Sequence, residues 1–276
     1  MTPTLRVGLA ALSSCLALLV ACGGGSSTSV PPPPNTGGGS STSVPPPPNT
    51  GGGGTGGTGT GGGTTFPATV SKLTDTGVPA SRCFAAGNTT SFVSCTSPEA
   101  LALNAQQDGM VGRDVAYPDS SDGFLGFNYT KLDANGAALP AFATTWSCVK
   151  DNITGLTWEV KTTDGGLRDW TKTYTNYGDN RLGDASTFVT AVNAVGLCGA
   201  LDWRLPTAEE LQSIVDYAGV NPAIDTTFFP NTPASNYFWS SSPVVGGPSY
   251  AWLVDFNGGY VGNVIRGGTV AVRLVR

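Results

Sequence analysis

The sequence predicts an α+β fold standing on a disordered stalk, and three observations carry that reading. The second half runs strand, two helices, a long proline-bearing loop and an antiparallel meander, without the strand–helix alternation that builds a parallel sheet. Only 12% of the 276 residues are charged and 39 are glycine, a composition that suits a loop-rich domain better than a helix bundle. The stretch 202–211, DWRLPTAEEL, compresses a strand end and a helix start into ten residues. Trp203 and Leu205 alternate with Arg204, as on a half-buried strand. Pro206 has no N–H for a ladder, and Thr207 with Glu210 makes a capping box.

The chain opens with a single positive side chain, Arg6, and an apolar run over 7–20. That run is shorter than the roughly 20 residues a bilayer span needs, and it fits a signal-peptide core. It ends in Leu19-Val20-Ala21-Cys22-Gly23, which resembles a bacterial lipobox. Residues 1–21 are therefore expected to be a lipoprotein signal peptide and Cys22 the lipidated residue. Cys15 fits the same loose pattern, but too few apolar residues precede it. Multiple acyl chains at about 0.8 kcal/mol per buried CH2 make a stable membrane anchor. Gly23 in place of Asp, by resemblance to diderm lipoproteins, implies an outer-membrane lipoprotein, surface-exposed or periplasmic.

Residues 22–65 read as a tether. The block GGGSSTSVPPPPNT over 23–36 is repeated without change over 37–50, and a Gly/Thr run follows. Glycines make such a segment flexible and the proline tracts add short stiff pieces, with an end-to-end distance of roughly 35 Å for a coil of this length.

Residues 66–147 form a small N-terminal elaboration. Four cysteines remain after Cys15 and Cys22, namely Cys83, Cys95, Cys148 and Cys198, and in an exported chain an even set reads as disulfides. Three connectivities exist; Cys83–Cys95 with Cys148–Cys198 is preferred because the first pair can close a local hairpin. On the chain-entropy model these contribute about 3 and about 4 kcal/mol. The best helix candidate here is 98–107, and Asn135-Gly136 signals a hairpin. The run Asp119-Ser120-Ser121-Asp122-Gly123 lacks the ligand pattern of an EF-hand and reads as a solvated turn, so no metal and no cofactor are expected.

From Cys148 to Arg276 the signals sharpen. Leu156, Trp158 and Val160 alternate with Thr157, Glu159 and Lys161 as a strand. Asp184 can cap a helix with Phe188, Val189, Val192 and Val195 as its buried stripe. Thr207 opens a second helix that buries Leu211, Ile214, Val215 and Ala218 and closes at Gly219. Three strands are expected at 237–242, 250–256 and 260–265, with Asn257-Gly258 turning the last two. A final alternating strand is expected at 270–275.

Six ordered motifs carry a family resemblance: DNITGLTWE (151–159), WRLPTAEEL (203–211), NPAID (221–225), FWSSS (238–242), AWLVDF (251–256) and VRLVR (272–276). Together they resemble the Lcl C-terminal domain family, named for a Legionella collagen-like protein and formerly a domain of unknown function. That family is similar to the formylglycine-generating enzyme and sulfatase-modifying-factor group, which shares Arg-Leu-Pro-Thr before a helix. The resemblance implies a C-type-lectin-like fold, and the name-giving type implies adhesion to polysaccharides such as sulfated glycans. This chain has no collagen repeats. Its formal charge of −5 disfavours electrostatic attachment to sulfated glycans.

Composition excludes several chemistries. The chain has no histidine, which removes Ser-His-Asp, Cys-His and His-ligated metal sites. No basic stripe offers a nucleic-acid surface. Arg204 is expected to make a structural ion pair with Glu159 or Asp202, or to bond carbonyls. Glu210 is accounted for by the cap and Glu209 by the helix macrodipole, so neither needs an acid–base role. Trp158, Trp203, Trp239 and Trp252 lie in strand-like motifs, where core packing is the expectation. Candidate ligand contacts are Asn236, Tyr237, Trp239, Asn257 and Tyr260, in and beside exposed turns. The framework residues are Trp203, Arg204, Thr207 and Glu210. Formylglycine generation uses a redox cysteine pair late in the domain, and no cysteine follows Cys198. The expected function is a surface-exposed lipoprotein presenting a non-catalytic domain for adhesion or binding, with a polysaccharide or a surface protein as partner. The alternatives are an enzyme related to formylglycine generation and a structural envelope protein that binds another protein.

Overall fold

The computed structural model describes residues 74–116, 118–233 and 237–276. The expectations for the signal peptide, Cys22, the tether and Asn236 lie outside those residues. The elaboration begins with a covalent loop. Cys83 and Cys95 are bonded, with Cα atoms 4.9 Å apart, and Cys83 pairs with Val93 across an antiparallel bridge, so the disulfide does close a hairpin. Three short helices follow: α1 (Pro98–Leu103), α2 (Asp108–Val111) and α3 (Arg113–Ala116). Ser97 caps α1 by accepting from the Ala100 N–H at 3.2 Å. The helix stops at Leu103, short of the expected Gln107. Asn104 is extended and its side chain accepts from Gln106 N at 2.8 Å, a local bond that competes with helix continuation.

The first sheet has the order β1-β2-β3, all antiparallel, from β1 (Tyr129–Leu132), β2 (Cys148–Asp151) and β3 (Thr157–Glu159). Its register sets Tyr129 opposite Asp151 and Leu132 opposite Cys148. The elaboration therefore supplies one strand of the sheet that opens the C-terminal segment. The Asn135-Gly136 reversal leads from β1 into a bridge between Leu132 and Ala138. Gly136 has φ +86°, and a Cβ there would sit 2.5 Å from the Cys198 carbonyl oxygen, so the turn requires glycine twice over.

Helix α4 (Ala185–Ala194) is capped by Asp184, whose Oδ1 accepts from Ser186 N at 3.0 Å. Phe188 and Val192 face inward. Val195 is the C-cap and 68% exposed, so the stripe ends one turn earlier than the periodicity predicts. Cys198, on the short 3-10 turn that follows, is bonded to Cys148 across a Cα separation of 6.5 Å.

Helix α5 (Ala208–Gln212) holds only five residues, where the sequence predicts a helix reaching Ala218. The Ser213 hydroxyl donates to the Glu210 carbonyl (2.7 Å), Thr74 donates to the Ser213 carbonyl (2.8 Å), and Asp216 accepts from the N–H of Ala218. These bonds divert the backbone from helix. Ile214 and Val215 are buried all the same, in the turn. Trp203 to Leu205 is likewise a single bridge, Arg204 to Val275, and no strand.

The second sheet is the expected meander: β4 (Tyr237–Val244), β5 (Gly247–Asp255) and β6 (Tyr260–Ile265), in the order β4-β5-β6. β4 and β5 run longer than predicted because Val244 and Gly247 still pair at the turn. Residues 270–275 depart from expectation. Instead of adding a strand they make isolated bridges to Tyr174, Phe238, Trp158 and Arg204, threading between the two sheets. Ala271 to Val275 are all buried, so neither side of the segment faces water. Two apolar clusters flank it. One gathers Trp158, Leu211, Phe228, Phe229, Phe238 and Phe256; the other gathers Phe188, Cys198, Trp203, Trp239 and Leu274.

The polar side of β3 is buried too. Glu159 and Arg273 are 0% exposed and Lys161 is 3% exposed. Lys161 Nζ meets Glu159 Oε1 at 2.8 Å, while Oε2 accepts from Leu274 N at 3.0 Å. Arg273 Nη1 donates to the Glu159 carbonyl (3.0 Å) and Nη2 to Thr232 Oγ1 (2.6 Å), with the guanidinium over the Phe229 and Phe238 rings. Burial pulls Arg273 down to about 10, opposed by the Glu159 charge, and lowers Lys161 as well. Removing one member leaves the others dry and uncompensated. Glu159→Ala is expected to cost about 3–5 kcal/mol in urea unfolding followed by tryptophan fluorescence. A loss under about 1 kcal/mol would show that the carboxylate is not what holds the two cations in the core.

Candidate functional site

The candidate ligand contacts fall at one end of the second sheet. Tyr237 of β4 and Tyr260 of β6 both stand opposite Asp255 of β5, and directly opposed residues share a face. The row therefore reads Tyr237–Asp255–Tyr260. Its tyrosines are 50% and 73% exposed, while Asp255 is buried between them. Asp255 Oδ1 accepts from Asn257 N at 2.8 Å, and its carbonyl accepts from Gly259 N at 2.8 Å. Those two bonds fix the turn that presents Asn257, which is exposed. Gly259 adopts φ +78°, a conformation that suits glycine.

Trp239 does not belong to this surface. It lies on the same face as Tyr237, two residues along, but is 0% exposed, and its Nε1 donates to the Tyr174 carbonyl at 2.7 Å. The face passes from solvent into the core between these residues. Trp158 and Trp203 are buried as expected, and Trp252 is only partly covered.

A cleft of about 550 Å³ is connected to the turn through Tyr217. Its walls include Thr74, Thr76, Leu156, Glu209, Gln212 and Tyr217. The Tyr217 hydroxyl donates to the Gly259 carbonyl at 3.4 Å, and a Cβ on Gly259 would come within 2.8 Å of the Tyr217 ring. Nothing in the sequence singles out Tyr217, an aromatic at the end of an apolar run. The one available signal was Gly259, since a second glycine in a turn can mark a close approach of another side chain.

Glu210, which also lines this cleft, is paired with Arg204. Arg204 Nη1 and Nη2 reach Glu210 Oε2 and Oε1, both at 2.7 Å, a bidentate geometry. Nη1 also donates to the Leu205 carbonyl at 3.2 Å. The expected carbonyl bond of Arg204 is thus present, but its ion-pair partner is Glu210 in place of Glu159, which is buried with Lys161, or Asp202, which pairs with Arg276 at 2.7 Å. Glu210 Oε2 also accepts from Thr207 N (2.8 Å) while Thr207 Oγ1 accepts from Glu210 N (3.1 Å), which completes the capping box. One carboxylate thus holds a helix cap and an arginine together. The Arg204 hydrogen bonds hold Glu210 below the usual carboxylate range, so at neutral pH it has no proton to give.

A second cleft of about 560 Å³ opens between Tyr177 and the ends of β5 and β6, lined also by Pro248, Ser249, Ile265, Arg266 and Gly267. Arg181 stacks over the Tyr177 ring at 3.8 Å, and Arg266 is held by the carbonyls of Asn176 (2.9 Å) and Pro248 (3.1 Å). Cys148 and Cys198, the cysteines nearest the framework, are buried and bonded to each other, so neither is a thiol.

Residues 147–276 match the family model of the Lcl C-terminal domain. The chain carries an Lcl C-terminal domain. No curated protein matches the chain. Within the Lcl C-terminal domain lie β2 through β6, both core clusters for the most part, and the Tyr237–Asp255–Tyr260 row. β1 and the 74–76 wall of the first cleft come from the segment before it.

The depressed Glu210 carboxyl sets a pH dependence. A group lowered on folding contributes stability above its unfolded value of about 4.5 and loses it as pH falls through the folded value. Arg204→Ala is expected to move the Glu210 carboxyl resonance to a higher midpoint in an NMR titration. The pair is partly exposed, so the accompanying loss at pH 7 is expected to be about 1 kcal/mol or less. An unmoved Glu210 midpoint would count against the pairing.

Proposed function

We propose that this protein is a surface-exposed lipoprotein whose C-terminal part is a non-catalytic, C-type-lectin-like module for adhesion, with a neutral glycan as its ligand. The observation that carries the reading is the Tyr237–Asp255–Tyr260 row. Two exposed tyrosines stand either side of a buried carboxylate that holds the neighbouring turn in place, and that turn carries the exposed Asn257. Sugar rings are recognised by such a combination of aromatic face and amide hydrogen bonds. The acidic balance of the chain favours a neutral ligand over a sulfated one. The enzyme alternative finds less support, because the Cys148–Cys198 disulfide leaves no thiol in the domain. On this reading Cys22 carries the lipid, and the Gly/Pro tract of 22–65 lifts the module off the outer membrane.

The test is a glycan array with a delipidated fragment starting at Phe66. Binding to neutral oligosaccharides is expected, and the double variant Tyr237→Ala/Tyr260→Ala is expected to weaken it by roughly tenfold or more. Unchanged binding by the double variant would reject the tyrosine row, and an array without a single hit would move the ligand class to protein. The anchor is tested separately. Cys22→Ser is expected to shift the protein from the membrane fraction to the soluble one, and continued membrane association would count against lipidation there.

A further inference from the structure

The segment before the Lcl C-terminal domain holds a group of carboxylates whose oxygens are unequally satisfied. Asp75 is buried: Oδ1 accepts from the main-chain N–H of Thr76 (2.8 Å) and Gly77 (3.1 Å), while Oδ2 takes one hydrogen, that of Asp114 N (3.0 Å). Asp114 is 6% exposed, and its buried Oδ1 has no hydrogen-bond partner. Asp108 lies beside them and accepts the Thr76 hydroxyl on its own carboxylate. Arg113, the neighbouring cation, sends its Nε to the Gly126 carbonyl at 3.1 Å.

Gly112 marks where these oxygens converge. A Cβ on it would lie 2.6 Å from Asp114 Oδ1, 2.9 Å from Asp75 Oδ2 and 3.2 Å from the Asp108 main-chain carbonyl. Burial first, then the charges of Asp75 and Asp108, push the Asp114 carboxyl up. A dry, unpaired carboxylate oxygen beside other negative charge is costly unless a positive charge or a proton meets it.

We propose that Asp114 Oδ1 and Asp75 Oδ2 are the carboxylate ligands of a calcium-sized divalent cation, with the Asp108 carbonyl and water completing its shell. Every donor at the site is oxygen, the ligand set of a hard cation. Among the described residues no group of three or more Asp, Glu or Cys side chains is set to share an ion, so neutral oxygens must supply the rest. Calcium accepts carbonyls and water in irregular geometry, whereas magnesium demands near-ideal octahedra. The ion would fasten α3 to residues 74–77. That segment reaches the Lcl C-terminal domain directly, since the Thr76 carbonyl accepts from Tyr217 N at 2.8 Å and Thr74 donates to the Ser213 carbonyl. The cation would thus brace one wall of the first cleft.

The test uses the full chain stripped with EDTA, with calcium chloride alone as the probe. Calorimetry is expected to show one ion per chain. At a hundredfold excess of calcium over its Kd the thermal midpoint is expected to rise by roughly 5–10 °C, with a smaller rise for magnesium. Asp114→Asn, nearly identical in shape, is expected to abolish both responses. Because the calorimetry needs no variant, a poorly folding Asp114→Asn leaves the test intact. The proposal is overturned if the stripped wild type takes up no calcium, or if the asparagine variant binds it as the wild type does. A midpoint that rises on acidification with no response to calcium would equally overturn it, by showing that a proton fills the role.

Discussion

The Glu159 carboxylate stands where the two sheets, the last segment and the long loop meet. Through Oε1 it neutralises Lys161; through Oε2 it takes the main-chain N–H of Leu274; its own carbonyl takes Arg273, which goes on to Thr232. A group this dry tolerates its charge only when a donor meets each oxygen, as here. The 270–275 segment is accordingly pinned against β3 at one depth and one register. From there it bridges to Phe238 and fixes the start of β4, the strand that carries Tyr237. The exposed row at the sheet end inherits its position from a buried ion pair.

The architecture separates framework from surface within short distances in sequence. Tyr237 and Trp239 are two residues apart on one face, yet one is half exposed and the other fully buried with its indole N–H bonded. Thr207 and Glu210 cap a helix, and the same Glu210 holds Arg204 through two hydrogen bonds. Residues with obvious chemistry turn out to be occupied with one another. At the end of the second sheet, Tyr237, Tyr260 and Asn257 are left facing solvent.

Local chemistry is legible in the sequence. The capping box at Thr207, the Asp184 cap, the Cys83–Cys95 disulfide and the β4–β6 meander follow from spacing that depends only on near neighbours, and Cys148–Cys198 is the pair that remains. What escaped depends on distant partners. Helix α5 is cut short by Thr74, well over a hundred residues away, and 270–275 alternates like a strand while being covered on both sides. The ion-pair partner of Arg204 differs from expectation for a related reason: Lys161, two residues along, holds Glu159, and Arg276, from the far end of the chain, holds Asp202. Tyr237, Asn257 and Tyr260 do gather at one sheet end, while Tyr217 joined them through a contact with Gly259 that no periodicity encodes.

The origin of β1 bears on how the molecule can be divided. The matched family segment begins at residue 147, but Tyr129–Leu132 pairs along the whole of β2, four residues against four. A fragment cut at the family boundary would open a bare strand edge at Cys148–Asp151, with Val149 and Cys148 newly wetted. Such an edge is a template for intermolecular pairing. The inherited unit and the folding unit of this protein are therefore different objects, and the second is the larger.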